Sequence, residues 1–156
     1  MVNWLFDDKL LDTPPDGAVG FVYLITNNIT NKKYIGRKYF ETIRRVKQKN
    51  KQRRKVVKKE SNWREYTSSS NELNDDIIKF GINNFKFEIL QFGNTRGEVN
   101  YLEENLQHKF DVLTRVLANG EFEFYNSAIG SRKFLGTKHT PPEKQIISEI
   151  VRKRFG

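Results

Sequence analysis

Two short apolar runs near the start of the chain, separated by turn residues, constrain its fold more than any other feature. Gly20-Phe21-Val22-Tyr23-Leu24-Ile25-Thr26 is rich in the β-branched and aromatic residues that suit a pleated, half-buried surface. Asn27 to Asn31 supplies turn chemistry, and Lys32-Lys33-Tyr34-Ile35-Gly36 is extended again, so the segment reads as a hairpin. Side chains alternate across a strand. Phe21, Tyr23 and Ile25 therefore share one face, and Tyr34 and Gly36 share a face of the second strand.

The rest of the chain adds helices around such a sheet. Ser69-x-x-Glu72 has the form of a capping box ahead of Leu73, Ile77 and Phe80, with Gly81 as a stop, which predicts a helix over 70–80. Phe85-Lys86-Phe87-Glu88-Ile89 alternates as a half-buried strand ending near Phe92. Val99, Leu102, Leu106, Phe110, Leu113 and Leu117 step by threes and fours, predicting a helix of about 16–20 residues that Asn119-Gly120 ends. Phe122 to Asn126 is extended, and Thr140-Pro141-Pro142-Glu143 opens a final helix. Residues 1–19, with Pro14-Pro15-Asp16-Gly17, read as an irregular lead-in whose Trp4, Leu5 and Phe6 tuck against the core. The expectation is one α+β domain over 20–130, a small antiparallel sheet flanked by helices, followed by a basic tail at 131–156.

Charge narrows the partner. The net charge is +9, but ten of the basic residues lie between Arg44 and Lys59 with no acid among them, leaving the other 140 residues near neutrality. A local excess of this kind marks a surface for a polyanion. Within 37–62 the apolar residues Val46, Val56 and Val57 are too few to anchor a buried helix, so an exposed helix or flexible loop is expected there. There is no cysteine, which excludes disulfides, thiolate metal sites and a cysteine nucleophile; the two histidines are far apart in sequence. No apolar run approaches the roughly 20 residues of a membrane span, and the first residues lack the pattern of a signal peptide. A cytoplasmic protein without membrane contact is expected.

Gly20-Phe21-Val22-Tyr23 and Tyr34-Ile35-Gly36, eleven residues apart from tyrosine to tyrosine, resemble the paired motifs of the GIY-YIG nuclease superfamily, with one extra residue in the first motif. The likeness covers about residues 20–130. Arg44, ten residues beyond Tyr34, Glu103 in the long helix and Asn126 after Tyr125 fall in the order of that family's remaining site residues. "YIGRKYF", "SNWREYTSSS" and "LEENLQHKFDVL" resemble its phage-type members, and Phe134 through Ser148 resembles the modular DNA-binding motif that follows many homing-nuclease domains.

The resemblance implies an endonuclease that hydrolyses phosphodiester bonds of double-stranded DNA, homing-type, nicking or cutting both strands as a monomer or transient homodimer. Tyr23 would take the proton of the attacking water, aided by Tyr34, although a tyrosine of pKa about 10 is a poor base near neutrality unless cations favour its phenolate. Glu103 would hold one Mg²⁺ or Mn²⁺, a hard ion satisfied by one carboxylate plus phosphate oxygens. Glu104 is its rival, but Val99, Leu106 and Phe110 put Glu103 on the core-facing side. Arg44 would bind phosphate, with Arg45, Arg37 and Lys38 as alternatives, and Asn126 would order the site by hydrogen bonds. Arg37, Lys38, Arg45, Lys51, Arg53, Arg54 and Lys55 are the expected DNA contacts. The competing readings are a catalytically weak or inactive nucleic-acid-binding protein on the same fold, and a basic RNA-binding module, for which the aromatic recognition signatures are missing.

Overall fold

The hairpin at 20–36 is the centre of a computed structural model that describes residues 2–130 and the backbone of 132–133. Strand β3 (Gly20–Asn27) pairs antiparallel with β4 (Lys33–Tyr39), and Tyr23 lies opposite Gly36. The turn between them is held by the Asn27 side chain, whose oxygen accepts from Ile29 N at 2.9 Å. On the other side of β3 runs β7 (Phe85–Gly93), as the alternation of its sequence predicts.

The sheet is mixed, not purely antiparallel. In place of an irregular lead-in, Trp4–Phe6 forms β1, which lies parallel to β7 with Trp4 opposite Phe87, and β2 (Lys9–Leu10) turns back beside it. The strand order is β2-β1-β7-β3-β4, so β4 is an edge. Trp4 is what draws β1 in. Its ring sits 5.0 to 5.4 Å from those of Phe21, Tyr23 and Phe87, and its indole N–H donates to the Trp63 carbonyl at 2.8 Å. Aromatic packing of that area, with the one polar atom satisfied, outweighs the ordering of a three-residue strand.

Both faces of the sheet are covered, because consecutive β3 residues feed opposite cores. Phe21, Tyr23 and Ile25 pack with Trp4, Trp63 and Leu73 on the side of α1 (Asn71–Phe80). Val22 and Ile35 pack with Val112, Leu113 and Phe124 on the side of α2 (Arg96–Lys109). The cap of α1 is Ser70, whose hydroxyl accepts from Leu73 N, one residue later than the sequence pattern suggests. Helix α2 has 14 residues, shorter than expected; Asp111, with φ of 55°, turns the chain, yet Val112 and Leu113 stay buried and so prolong the apolar stepping past the helix.

The basic segment is neither helix nor loop throughout. Strands β5 (Glu41–Val46) and β6 (Lys55–Glu60) form an antiparallel hairpin separate from the main sheet, with Thr42, Ile43, Val46, Val56 and Val57 giving it β-branched character. Arg44, Arg45 and Lys55 lie on its strands, and Lys51, Arg53 and Arg54 between them. A last short pair, β8 (Ala128–Ile129) and β9 (Arg132–Lys133), follows. The final helix and the modular motif expected within 134–156 lie outside the described residues.

Candidate active site at the β4 edge

The floor of the site is built from the two tyrosines. A bulge between β3 and β7 falls at Val22 and Tyr23, the kind of irregularity that re-aims a side chain. Tyr23 is almost fully buried; its ring lies 6.1 Å from that of Tyr34, and its hydroxyl hydrogen-bonds with Tyr66. Gly36 makes this possible: a β-carbon there would lie 2.7 Å from Tyr23 Cζ and closer still to the hydroxyl. Burial first, then the neighbouring Tyr34 and Tyr66, raise the Tyr23 pKa well above its ordinary value. Tyr34 is also raised by burial, but Ser69, which hydrogen-bonds to it, and Arg37 pull it back.

The opposite wall comes from α2. Val99, Glu103 and Gln107 are its buried residues, one per turn on a single stripe, whereas Glu104 is exposed. Glu103 Oε1 accepts from Arg37 Nη1 at 2.5 Å. Burial raises the Glu103 pKa and Arg37 restrains the rise. Burial works against the Arg37 charge, but Glu103 outweighs it and the guanidinium stays firmly protonated.

Asn126 closes the edge of β4. The chain at 123–125 first pairs with Lys33, whose N–H donates to the Glu123 carbonyl at 2.8 Å and whose carbonyl accepts from Tyr125 N at 2.7 Å. The next rung is a side chain. Asn126 Oδ1 accepts from Ile35 N at 3.0 Å and Nδ2 donates to the Ile35 carbonyl at 2.8 Å, as a peptide group of a neighbouring strand would. Gln107 Nε2 donates to the same carbonyl at 3.0 Å and its oxygen accepts from Gly130 N at 2.7 Å. Tyr125 is fixed in turn by donating to Asp76 at 2.7 Å and accepting from Asn27 at 3.1 Å; burial raises its pKa.

Two open hollows, of about 800 and 510 Å³, meet where Tyr34, Ser69, Glu103 and Gly130 line both. Tyr23, Gly36, Arg37, Lys38 and Arg96 belong to the smaller one. There Lys38 Nζ stands 4.0 Å over the Tyr66 ring, and burial lowers its pKa; Arg96 stacks on Tyr39 at 4.0 Å. Among the described residues no three His, Asp or Glu side chains cluster. A cation here would thus rest on the Glu103 carboxylate, with the Tyr34 and Ser69 hydroxyls as neutral oxygens nearby, a sparse hard-donor set of the sort Mg²⁺ accepts by keeping water ligands.

Of the residues expected from sequence, Tyr23, Tyr34, Arg37, Lys38 and Glu103 line this cleft and Asn126 supports it. Arg44 does not. It projects from β5 opposite Val57, exposed, because the chain after Tyr39 leaves the sheet for the basic hairpin; the guanidinium beside Glu103 is that of Arg37. Gln107 was missed, although its place one turn beyond Glu103 puts it on the same buried stripe. Arg96 carried no local signal; Tyr66 falls within "SNWREYTSSS", where the expectation is an anchoring aromatic or a residue that positions DNA.

Among the described residues no helix is long and apolar enough to cross a membrane. The family model described as "Putative endonuclease segE, GIY-YIG domain" matches residues 4–129. The match starts at β1, earlier than the resemblance of the hairpin motifs alone suggests. No curated protein and no solved structure matches the chain significantly. With the family model covering most of its length, from Trp4 through the Asn126 rung, the chain belongs to the GIY-YIG family of segE type.

Proposed function

We propose that the chain is a divalent-cation-dependent endonuclease that hydrolyses phosphodiester bonds of duplex DNA. The observation that carries this reading is the convergence of Arg37, Glu103 and Tyr34, with Tyr23 beneath, in an open cleft beside a hairpin whose stretch from Arg44 to Lys59 is basic and free of acids. Arg37 is suited to a non-bridging phosphate oxygen: a planar guanidinium held by a carboxylate on one side keeps donors for the other. Lys38 and Arg96 add positive charge at the cleft. Glu103 is the residue to hold Mg²⁺ or Mn²⁺, which when bound would neutralise charge developing on the phosphate and assist the leaving oxygen.

Tyr34 is the better placed of the two tyrosines to take the proton of an attacking water. Its pKa is raised less than that of Tyr23, and Arg37 and Ser69 both favour its phenolate. Tyr23 then serves as the buried partner that sets the Tyr34 ring. One cleft per chain cuts one strand per encounter, so cleavage of both strands takes a second encounter or a transient homodimer. A homing role, in which the cut favours spread of its own coding element, fits the family likeness. The basic residues Lys51, Arg53, Arg54 and Lys55 are proposed phosphate contacts outside the cleft, and Arg45 a further DNA contact on the same arm.

Supercoiled plasmid incubated with the protein in Mg²⁺, Mn²⁺ or EDTA tests the reading. Nicking should require the cation and vanish in Glu103→Ala, while DNA binding persists. Arg37→Ala should lower the rate by about 10²-fold or more, as loss of a group that meets transition-state charge does; Arg44→Ala should change it less than about tenfold. Burial of Tyr23 and the Arg37–Glu103 pair equally suit a protein that binds without cutting. Binding with no cation-dependent nicking would establish that second reading.

A further inference from the structure

The β5–β6 hairpin explains itself poorly as a part of the fold. It belongs to no larger sheet, and every residue on its two strands is exposed except Val46. Ile43 is 46% and Val56 53% exposed, an unusual use of large aliphatic side chains on a polar arm.

The register sorts the two faces. Residues directly opposite share a face, so beyond the Glu41–Glu60 pair at the base, which shares their face, Ile43, Lys58, Arg45 and Val56 lie on one side and Arg44, Val57, Thr42 and Lys59 on the other. On the first face Ile43 and Val56 form one diagonal and Arg45 and Lys58 the other. Glu41 and Ile43 of this face line the cleft that holds Tyr23, Tyr34 and Arg37, as does Thr42 of the other, so the base of the ribbon adjoins the active-site surface. Two strands about 4.8 Å apart with their side chains form a ribbon narrower than the major groove of B-DNA, about 12 Å wide, which admits such a ribbon. The aliphatic pair suits thymine methyl groups, and Arg45 suits the acceptor edge of guanine. The aliphatic pair has no use on a phosphate backbone alone.

We propose that the β5–β6 ribbon enters the major groove of duplex DNA, with the Ile43–Arg45–Val56–Lys58 face toward the base edges, and that it biases where the adjoining cleft cuts. This rests on the reading of the cleft as a DNA-cutting site for its consequence, though not for the binding geometry. The occupant is duplex DNA because the arm combines groove dimensions with a positive charge that runs without an acid from Arg44 to Lys59, its two glutamates being paired at the base. Strands of six residues reach about 20 Å, or about six base pairs to one side of the cleft.

The test separates the ribbon from the nuclease. In gel shifts with the full chain in EDTA, duplexes lightly methylated at guanine N7, a major-groove atom, should show binding interference confined to a window of about six base pairs, and a minor-groove ligand should compete poorly. Arg45→Gln with Val56→Thr should flatten base preference in that window roughly 5- to 150-fold while leaving the salt dependence within about one phosphate contact. Arg44→Ala with Lys59→Ala should do the reverse, weakening all sequences alike and lowering the salt slope by about two. Absence of N7 interference, equal binding to single strands or RNA, or indistinguishable effects of the two variants overturns the proposal. Preserved interference without cation-dependent cleavage removes the nuclease reading and leaves the ribbon standing.

Discussion

Replacing Asn126 by Ala tests whether the edge of β4 is held by a side chain acting as a strand. Ile35 is fully buried, and the Asn126 amide receives its N–H at 3.0 Å while donating to its carbonyl at 2.8 Å. In the alanine variant the N–H loses that acceptor, a loss of about 1–3 kcal/mol for a buried donor left unpaired. The carbonyl keeps the Gln107 donor at 3.0 Å, so the second bond costs only the net value of a hydrogen bond, about 0.5–1.5 kcal/mol. Because Asn126 also lines the larger hollow, water can recover part of this, and a total of about 2–3 kcal/mol follows. For a chain of this size that is a fall of roughly 4–12 °C in Tm. Urea unfolding measures the difference, with Ser127→Ala, an exposed neighbour, as the control. Amide exchange at Ile35 should quicken in Asn126→Ala more than at Leu24, which pairs on the far side of β4. A loss under about 0.5 kcal/mol with unchanged Ile35 exchange would refute the role.

Gly36→Ala should destabilise by about 1–3 kcal/mol, the range for overpacking, since the new β-carbon meets the Tyr23 ring; unchanged urea midpoints and near-ultraviolet dichroism would contradict the close approach. In the pH profile of cleavage, Glu103 must be ionised to hold a cation and its pKa is raised, so activity should be lost, as pH falls, above the ordinary carboxylate range; Arg37→Ala should move that acid limb higher still, because Arg37 is what restrains the rise. At the alkaline end the raised tyrosine pKa means that the phenolate fraction grows about tenfold per unit between pH 7 and 9, and a flat rate over that range would argue against a tyrosine base. Gln107→Leu should lower the maximal rate about tenfold or more by loosening Ile35 and Gly130, with DNA affinity nearly unchanged, and a variant of wild-type rate would show that Gln107 positions nothing.

The residues that could be placed from sequence are those governed by a short period. Alternation along 20–36 is enough to put Tyr23 with Phe21 and Ile25, and helical stepping is enough to turn Glu103 inward and Glu104 out. Arg44 illustrates the opposite case. Its spacing from Tyr34 is a count along the chain, and a count does not survive a hairpin that carries the next six residues away from the sheet. That hairpin was itself hidden because its β-branched residues are interrupted by lysines and arginines, which say nothing about period. β1 was hidden for a different reason: three residues are too few to show alternation, and only the Trp4 contacts decide that they pair. The Asn126 rung has no sequence signature at all, since an asparagine after a tyrosine is ordinarily turn chemistry.

The cleft owes its geometry to a match between two repeats. On β4, Ile35 and Arg37 are two residues apart on one face, about 6.8 Å; on α2, Gln107 and Glu103 are four residues apart on one stripe, about 6 Å. Gln107 takes Ile35 and Glu103 takes Arg37, so the same helix that presents the carboxylate also grips the strand that presents the guanidinium. Neither charged group depends on a loop for its position. A buried carboxylate with a raised pKa is costly to keep in a fold, and an apolar residue in its stripe would pack at no such cost. Its retention there, with Gln107 occupied in holding the strand in register, is what a site needs if phosphate is to exchange for one partner of the Arg37–Glu103 pair without either residue moving far.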